Sequence, residues 1–367
     1  MFRFLVVLTI CSTAGLQAWQ TLFNNYAVEI AGLEGRHVGV IQSVREIPGF
    51  LTLLAVFVMM VVREHRLAAL SVFTLGLGVL ATGFFPTFAG LTLTTLVMSF
   101  GFHYYETASQ SLTLQYFDKS VSPWVFGKLR SLAAASSIGV GLFIYLAATF
   151  LDYRGLYLVV GLLLGAAAVW ALLQDPTDRD LVPQRRRMVV RRRYWLFYFL
   201  TFMAGARRQI FIAFAVFLLV KRFGFTVQQI TLLFVINNGV NFFLSPVIGR
   251  AIIRFGERKV LSLEYASLIL VFTAYAVVPS GLLAAGLYVL DHVFFNFHIA
   301  IRTYFQKTGD PRDIAPSMAV GFTINHIAAV VLPAVGGVLW MVDYRIPFLA
   351  GAGLALVSLV AVQRIRT

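Results

Sequence analysis

Ionisable and amide side chains stand at helical spacing inside long apolar stretches of this chain, and they are its only candidates for chemistry. Ser99, His103, Glu106, Gln110 and Thr113 recur every three or four residues and so share one stripe of a helix. A carboxyl and an imidazole on one stripe suit proton binding and release. Desolvation and a nearby cation act oppositely on a buried carboxyl, so Glu106 fits a group that changes charge as its surroundings alternate between wet and dry. His103 needs the smallest perturbation to titrate near neutrality. A second stripe, Thr13, Gln17, Gln20 and Asn24, offers hydrogen bonds to a solute. Asp291, His298 and Arg302 mark a third, with His292 and Asn296 beside it. Further groups are Arg207, Arg208 and Gln209; Asn237, Asn238 and Asn241; Gln42, Arg45 and Glu46; and Asn325 with His326.

Each group also has a purely architectural reading. Glu106 can pair with a cation to hold two helices together, and His103 can be a packed neutral histidine. Glu46 follows Arg45 directly, but neighbours on a helix diverge by about 100°, so the two need not pair. Glu46 reads first as a member of an ion pair and second as a gate. Arg207 and Arg208 cannot shed their charge, so at least one requires an anion: Glu106, Asp291, Glu46 or a bound solute. Arg130, Arg250 and Arg302 stand nearer span ends, where long basic side chains reach for headgroups. The asparagine cluster suits hydrogen bonding between helices. Trp19, Tyr104 and Tyr105 flank the polar stripes and can line a cavity.

The elements that position these groups follow from hydropathy. Hydrophobic residues form 59% of the 367-residue chain and charged ones 13%, with mean hydropathy +0.82, which excludes an ordinary water-soluble domain. A hydrocarbon core of about 30 Å takes about 20 apolar residues per helix. Twelve spans are predicted: Phe4 to Val28, Val38 to Val62, Leu67 to Phe85, Thr87 to Tyr116, Leu129 to Leu151, Leu156 to Leu173, Tyr194 to Val220, Ile230 to Ile253, Leu261 to Val278, Gly281 to Phe305, Met318 to Val342 and Ile346 to Val362. The first apolar stretch is long for a secretory signal and is read as a retained helix. The single cysteine, Cys11, falls inside it and is read as packing.

The chain repeats itself. Tyr116-Phe117-Asp118-Lys119 returns 188 residues later as Tyr304-Phe305-Gln306-Lys307, and Asp152-Tyr153-Arg154 returns 191 residues later as Asp343-Tyr344-Arg345. Two units lie head to tail, a device of alternating-access transporters. The division is a six-helix bundle over residues 1–174, a basic linker over 175–193 and a second six-helix bundle over 194–367. The linker carries Asp175, Pro176, Asp178, Arg179, Asp180, Pro183 and the arginine triplets 185–187 and 191–193.

The formal net charge is +14, but its placement argues against a nucleic-acid partner. With the amino terminus inside, most lysines and arginines fall on one face, and only Arg36, Arg154, Lys221, Arg222 and Arg345 fall opposite. This asymmetry places both termini in the cytoplasm. The basic linker is thus a topology determinant able to touch anionic lipid. Short loops and the lack of an Asn-x-Ser/Thr sequon fit a bacterial inner membrane.

Gly249-Arg250-Ala-Ile-Ile-Arg254-Phe-Gly256-Glu257-Arg258-Lys259 resembles the cytoplasmic signature loop of the major facilitator superfamily, with Ile253 where an acid is usual. The first-half counterpart, Val61-Val62-Arg63-Glu64-His65-Arg66, keeps charges but no glycine. Pro333-Ala-Val-Gly336-Gly337 resembles an element that antiporters of the superfamily carry on span five, whereas span five here has only Gly139 and Gly141. Span four keeps Gly101 but has Val97 where an arginine is common.

The resemblance implies an all-α fold of twelve transmembrane helices in two pseudo-symmetric six-helix bundles. Spans one, four, seven and ten would then line a central cavity. Solute contact is expected at Gln17, Gln20, Asn24, Arg207, Arg208, Asp291 and His298 on spans one, seven and ten, and at Asn237, Asn238 and Asn325 on spans eight and eleven. Proton coupling falls to Glu106, His103 and Glu46, and conformational control to Arg45, Gly249, Arg254, Gly256, Arg258 and Lys259.

The expectation is a monomeric secondary active transporter, symporter or antiporter, moving a small organic solute with protons. Arg45, Arg207 and Arg208 balance Glu46, Glu106 and Asp291, which suits a zwitterion or an anion moved with a proton. The alternatives are efflux of lipophilic cations and, in other classes, a membrane-embedded lipid-handling enzyme or a non-transporting receptor. No phosphate loop, metal-ligand spacing or nucleophile–base motif occurs. No cofactor, metal or enzymatic activity is expected.

Overall fold

The structure is a computed structural model that describes residues 1–177, 182–185 and 187–366. Asp178, Arg179, Asp180 and Arg186 of the linker lie outside the described residues, as do the side chains of Arg36, Pro333 and Ala334. Every regular element among the described residues is helical.

The helices run together into twelve stretches among those residues: α1 (Phe2–Ile30), α2 (35–61), α3 (Glu64–Thr82), α4 (Phe88–Tyr116), α5 (Ser122–Ala147), α6 (Tyr153–Leu172), α7 (195–223), α8 (Val227–Phe255), α9 (Glu257–Val277), α10 (Gly281–Thr308), α11 (Ile314–Val342) and α12 (Arg345–Val362). Nine of them are long and apolar enough over described residues to cross a membrane. The stretches at α4, α7 and α11 are each 29 residues long, about 43 Å at 1.5 Å per residue.

Boundaries follow local chemistry. α5 begins at Ser122, seven residues before its predicted start. Pro123 fits the first turn of a helix, and the Asp118 carbonyl accepts the N–H groups of Val121 and Ser122 at 2.8 Å. The polar Lys128 and Arg130 hide this early turn from a hydropathy window. Asp152 caps α6 by accepting the Gly155 N–H at 2.8 Å, and its repeat partner Asp343 accepts the Arg345 N–H at 2.8 Å at the start of α12. Thr226 and Gln229 form a capping box at the start of α8.

Four helices depart from regular α geometry among the described residues, α1 ending in a π turn at Tyr26–Ile30. α2 passes through a 3-10 turn at Leu51–Leu54, just after Pro48. α7 opens into a π turn at Phe211–Ala215, and α10 tightens at Asn296–His298. Such irregular turns are frequent at functional places.

The chain forms two compact units. Unit 1 comprises 1–116, 132–189 and 312–323, and unit 2 comprises 117–131, 190–311 and 324–367. The core of unit 1 gathers Trp19, Leu22 and Phe23 of α1, Leu75 and Val79 of α3, Met98 of α4, and Tyr157, Val160 and Leu164 of α6. Gly101 lets α4 lie against α3, because any side chain there would strike the backbone of Ser71 and Leu75. In unit 2, Phe211, Phe214, Leu218, Phe272, Tyr275, Tyr288 and Phe348 pack together, with the rings of Phe214 and Trp340 stacked at 5.8 Å.

Candidate functional site

In unit 1 the polar groups of α2 and α4 meet. The Ser99 hydroxyl donates to the Arg45 carbonyl at 2.5 Å and lies 3.0 Å from His103 Nδ1, which is itself 2.9 Å from the Ser99 carbonyl. His103 is buried, edge-on to Phe322 at 5.9 Å. Arg45 binds Glu46 through Nη2 at 2.8 Å and through Nε at 3.2 Å. The two do pair, which neighbouring helical positions need not do, because the long arginine side chain spans their divergence. Arg45 also lies over the Trp19 ring at 5.7 Å. A Glu46 oxygen and a His103 ring nitrogen lie within 4.8 Å. Imidazole, carboxylate and guanidinium thus form one cluster.

The rest of the α1 and α4 stripes is looser. Gln17 bonds Thr21 on its own helix at 3.2 Å, and Gln20 and Asn24 are exposed. Glu106 is half-buried and makes no ion pair or hydrogen bond among the described residues. Its neighbour Tyr105 is fixed by hydrogen bonding between its hydroxyl and Thr9 at 2.7 Å, so that ring is packing rather than lining.

Unit 2 holds a denser constellation. Arg207, 2% exposed, donates to the Ser358 hydroxyl at 2.5 Å and to Glu264 at 3.4 Å, and its guanidinium lies 4.5 Å from the Tyr265 ring centre. Glu264 is fully buried. Asp291 of α10, 2% exposed, feels the charges of both Arg207 and Glu264. One oxygen of each carboxyl, Glu264 Oε2 and Asp291 Oδ2, has no hydrogen-bond partner among the described residues. Arg208 is half-buried, and its charge reaches His298, whose Nδ1 lies 2.6 Å from the Phe295 carbonyl.

Three residues of α8 and α10 form a separate chain: Asn296 donates to Asn241 at 2.5 Å, and Asn241 lies 2.7 Å from His292 Nε2. Asn237 is buried, whereas Asn238 returns to the Phe234 carbonyl on its own helix at 3.0 Å. Asn325 donates to the Thr201 carbonyl at 3.3 Å, tying α11 to α7.

Glu264 and Ser358 escape a reading of the sequence alone. The available signal was Glu264 itself, an acid in an apolar span seven residues after Glu257 and so on the same face. With Glu264 included, Arg45, Arg207 and Arg208 stand against Glu46, Glu106, Glu264 and Asp291, and the charge balance drawn from the sequence no longer holds.

The signature loop is held by close contacts. Gly249 abuts Pro123 and Trp124 at the start of α5, and Gly256 turns the chain at φ +79° and ψ 161°. Glu257, fully buried, receives Lys307 at 2.8 Å. Arg258 bonds Gln363 at 3.2 Å, while Arg254 and Lys259 are exposed. Beyond α6, Asp175 accepts the Thr177 hydroxyl and, at 3.2 Å, its N–H; these bonds hold the Asp175 carboxyl below its ordinary range.

Apolar helices that keep guanidinium and carboxylate groups in their cores define a polytopic membrane protein of the transporter class. The chain belongs to the Major Facilitator Superfamily, which it matches over residues 5–307, a family of transporters rather than enzymes. No curated protein sequence matches it. Among solved structures it is similar to a single-residue variant of the E. coli fucose:proton symporter FucP, with TM-score 0.82, 13% identity, and coverage of 100% of this chain and 98% of that one. It is similar also to a bacterial homologue of the iron transporter ferroportin, with TM-score 0.78 and 14% identity, and to the human organic anion transporter MFSD10 (TETRAN), with TM-score 0.78 and 12% identity. In both cases 99% of this chain and 98% of the other are covered.

Proposed function

We propose that the protein is a secondary active transporter that moves a small anionic or zwitterionic organic solute by alternating access, driven by protons. The observation that carries this reading is the cluster of Arg45, Glu46, Ser99 and His103. It places a fixed cation, a carboxylate and a titratable imidazole in contact within helices that are otherwise apolar. Inserting ionisable groups at helix centres costs about 2.5–3.5 kcal/mol each, so such a cluster persists where charge movement is the task.

In this reading Glu46, His103 and Glu106 carry coupling protons. Gln17, Gln20, Asn24, Arg207, Arg208, Asn237, Asn238, Asp291, His298 and Asn325 supply solute contacts. Arg45 and the loop residues Gly249, Arg254, Gly256, Arg258 and Lys259 govern the conformational change. The carrier works as two six-helix bundles, 1–174 and 194–367, joined by the linker, with all twelve helices spanning. It sits in a bacterial inner membrane as a monomer with both termini cytoplasmic. FucP, a fucose:proton symporter by name, lends support to proton coupling here.

The test is uptake and counterflow in proteoliposomes under an imposed pH gradient, comparing the parent with Glu106→Gln and His103→Gln. Loss of the pH dependence in either variant, with the protein still folded, is expected. A parent whose transport ignores the gradient overturns the coupling.

A further inference from the structure

Charge bookkeeping in the core of unit 2 does not close with every group in its ordinary state. One guanidinium, Arg207, pairs with Glu264 at 3.4 Å and acts through its charge on Asp291 as well, and all three groups are at most 2% exposed. The other groups packed around them are neutral or act elsewhere. Ser358 of α12 and Tyr265 of α9 contact Arg207. Tyr275 of α9 and Tyr288 of α10 carry phenols that sense Asp291. Asn241 and Asn296 engage His292, and the charges of Arg130 and Arg302 bear on the histidines of α10. Among the described residues no second cation acts on Glu264 or Asp291. An unbalanced charge in so dry a place costs far more than a proton does, and buried acids neutralise instead.

Geometry also says where the proton rests. Glu264 touches the guanidinium at 3.4 Å, whereas Asp291 makes no hydrogen bond to Arg207 and keeps Oδ2 unpartnered among the described residues. We propose that Asp291 and Glu264 hold a single exchangeable proton against Arg207, resting on Asp291, as a proton station in unit 2 separate from the cluster around His103. Releasing it breaks the Asp291 O–H bond, passes the proton to water, and takes the triad from neutral to a net charge of minus one. Use of this station in transport rests on the proton-coupled reading above; the presence of the proton does not.

The experiment is infrared difference spectroscopy of the protein in nanodiscs at neutral pH, counting protonated-carboxyl carbonyl bands relative to the parent. Asp291→Asn removes one such band. Glu264→Gln also removes one, because Asp291 then takes over the charge beside Arg207. Arg207→Gln adds one, since both acids must then be neutral, while Arg207→Lys keeps the cation and leaves the count unchanged. The charge-retaining lysine variant covers the case in which Arg207→Gln does not fold. An unchanged count in Asp291→Asn or Glu264→Gln, or a changed one in Arg207→Lys, overturns the proposal. If the parent's transport proves insensitive to pH, the coupling reading falls while these counts still decide the proton.

Discussion

Glu64 opens α3 in unit 1 and Glu257 opens α9 in unit 2, 193 residues later, and each reaches the end of the helix that follows it. In unit 1 the partners are neutral: Gln115 donates to Glu64 at 2.8 Å and Ser111 at 2.6 Å. In unit 2 the residue that reaches the corresponding acid from near the end of α10 is Lys307, and its ammonium meets a fully buried Glu257 at 2.8 Å. The duplicated fold has kept the place of the contact and changed its charge. The turn before each acid differs as well. Gly256 lies at φ +79°, where a side chain is strained, whereas Arg63 before Glu64 lies at φ −63°, which any residue adopts. Glycine is therefore required in one loop and dispensable in the other, which accounts for its loss from the first-half motif.

This contrast breaks most readily at Lys307. Lys307→Met leaves a buried carboxylate without its cation and is expected to cost about 3–5 kcal/mol. The neutral counterpart, Gln115→Ala, costs about 0.5–1.5 kcal/mol because Ser111 still bonds Glu64. Thermal unfolding in detergent measures both, and adding Glu257→Gln to the Lys307 variant restores most of the loss. Equal losses at the two positions would mean that charge pairing does not distinguish the units.

Next in size is the turn. Gly256→Ala is expected to cost about 1–3 kcal/mol through backbone strain and to slow transport, while Arg63→Ala is nearly silent. Comparing unfolding midpoints of the two variants sharpens the contrast.

Smallest is a solvent effect outside both units' cores. Asp175 is depressed by its bonds to Thr177, so its contribution is present above the ordinary aspartate range and lost as pH falls through the depressed value. Thr177→Val is expected to raise that titration toward normal in an NMR pH series, with transport near neutrality unchanged.

The all-helical fold class was largely legible in sequence because so apolar a chain satisfies its backbone as helices once lipid is its solvent. All twelve predicted segments coincide with helical stretches, and only α5 begins far from its predicted place. Pairings were harder to read. Arg45 and Glu46 join despite their helical phase, since rotamers, invisible to a periodicity count, set where the charges end. Glu264 was missed because one acid barely alters the mean hydropathy of α9, and only packing reveals that it faces Arg207. Gln115 and Glu64 were equally silent, being unremarkable polar residues at helix ends until the two helices are brought together.

The wide turn at Phe211–Ala215 carries one consequence for the lineage of α7. A π turn accommodates a surplus residue, and one residue is worth about 100° of helical rotation. Upstream of it Arg207 is aimed at Glu264, and downstream Leu218 and Leu219 are seated in the aromatic-rich core of unit 2. Excising a single residue there would swing one half of the helix out of phase with the other, so the surplus residue acts as the timing gear that lets the ionic end and the greasy end each keep its own alignment.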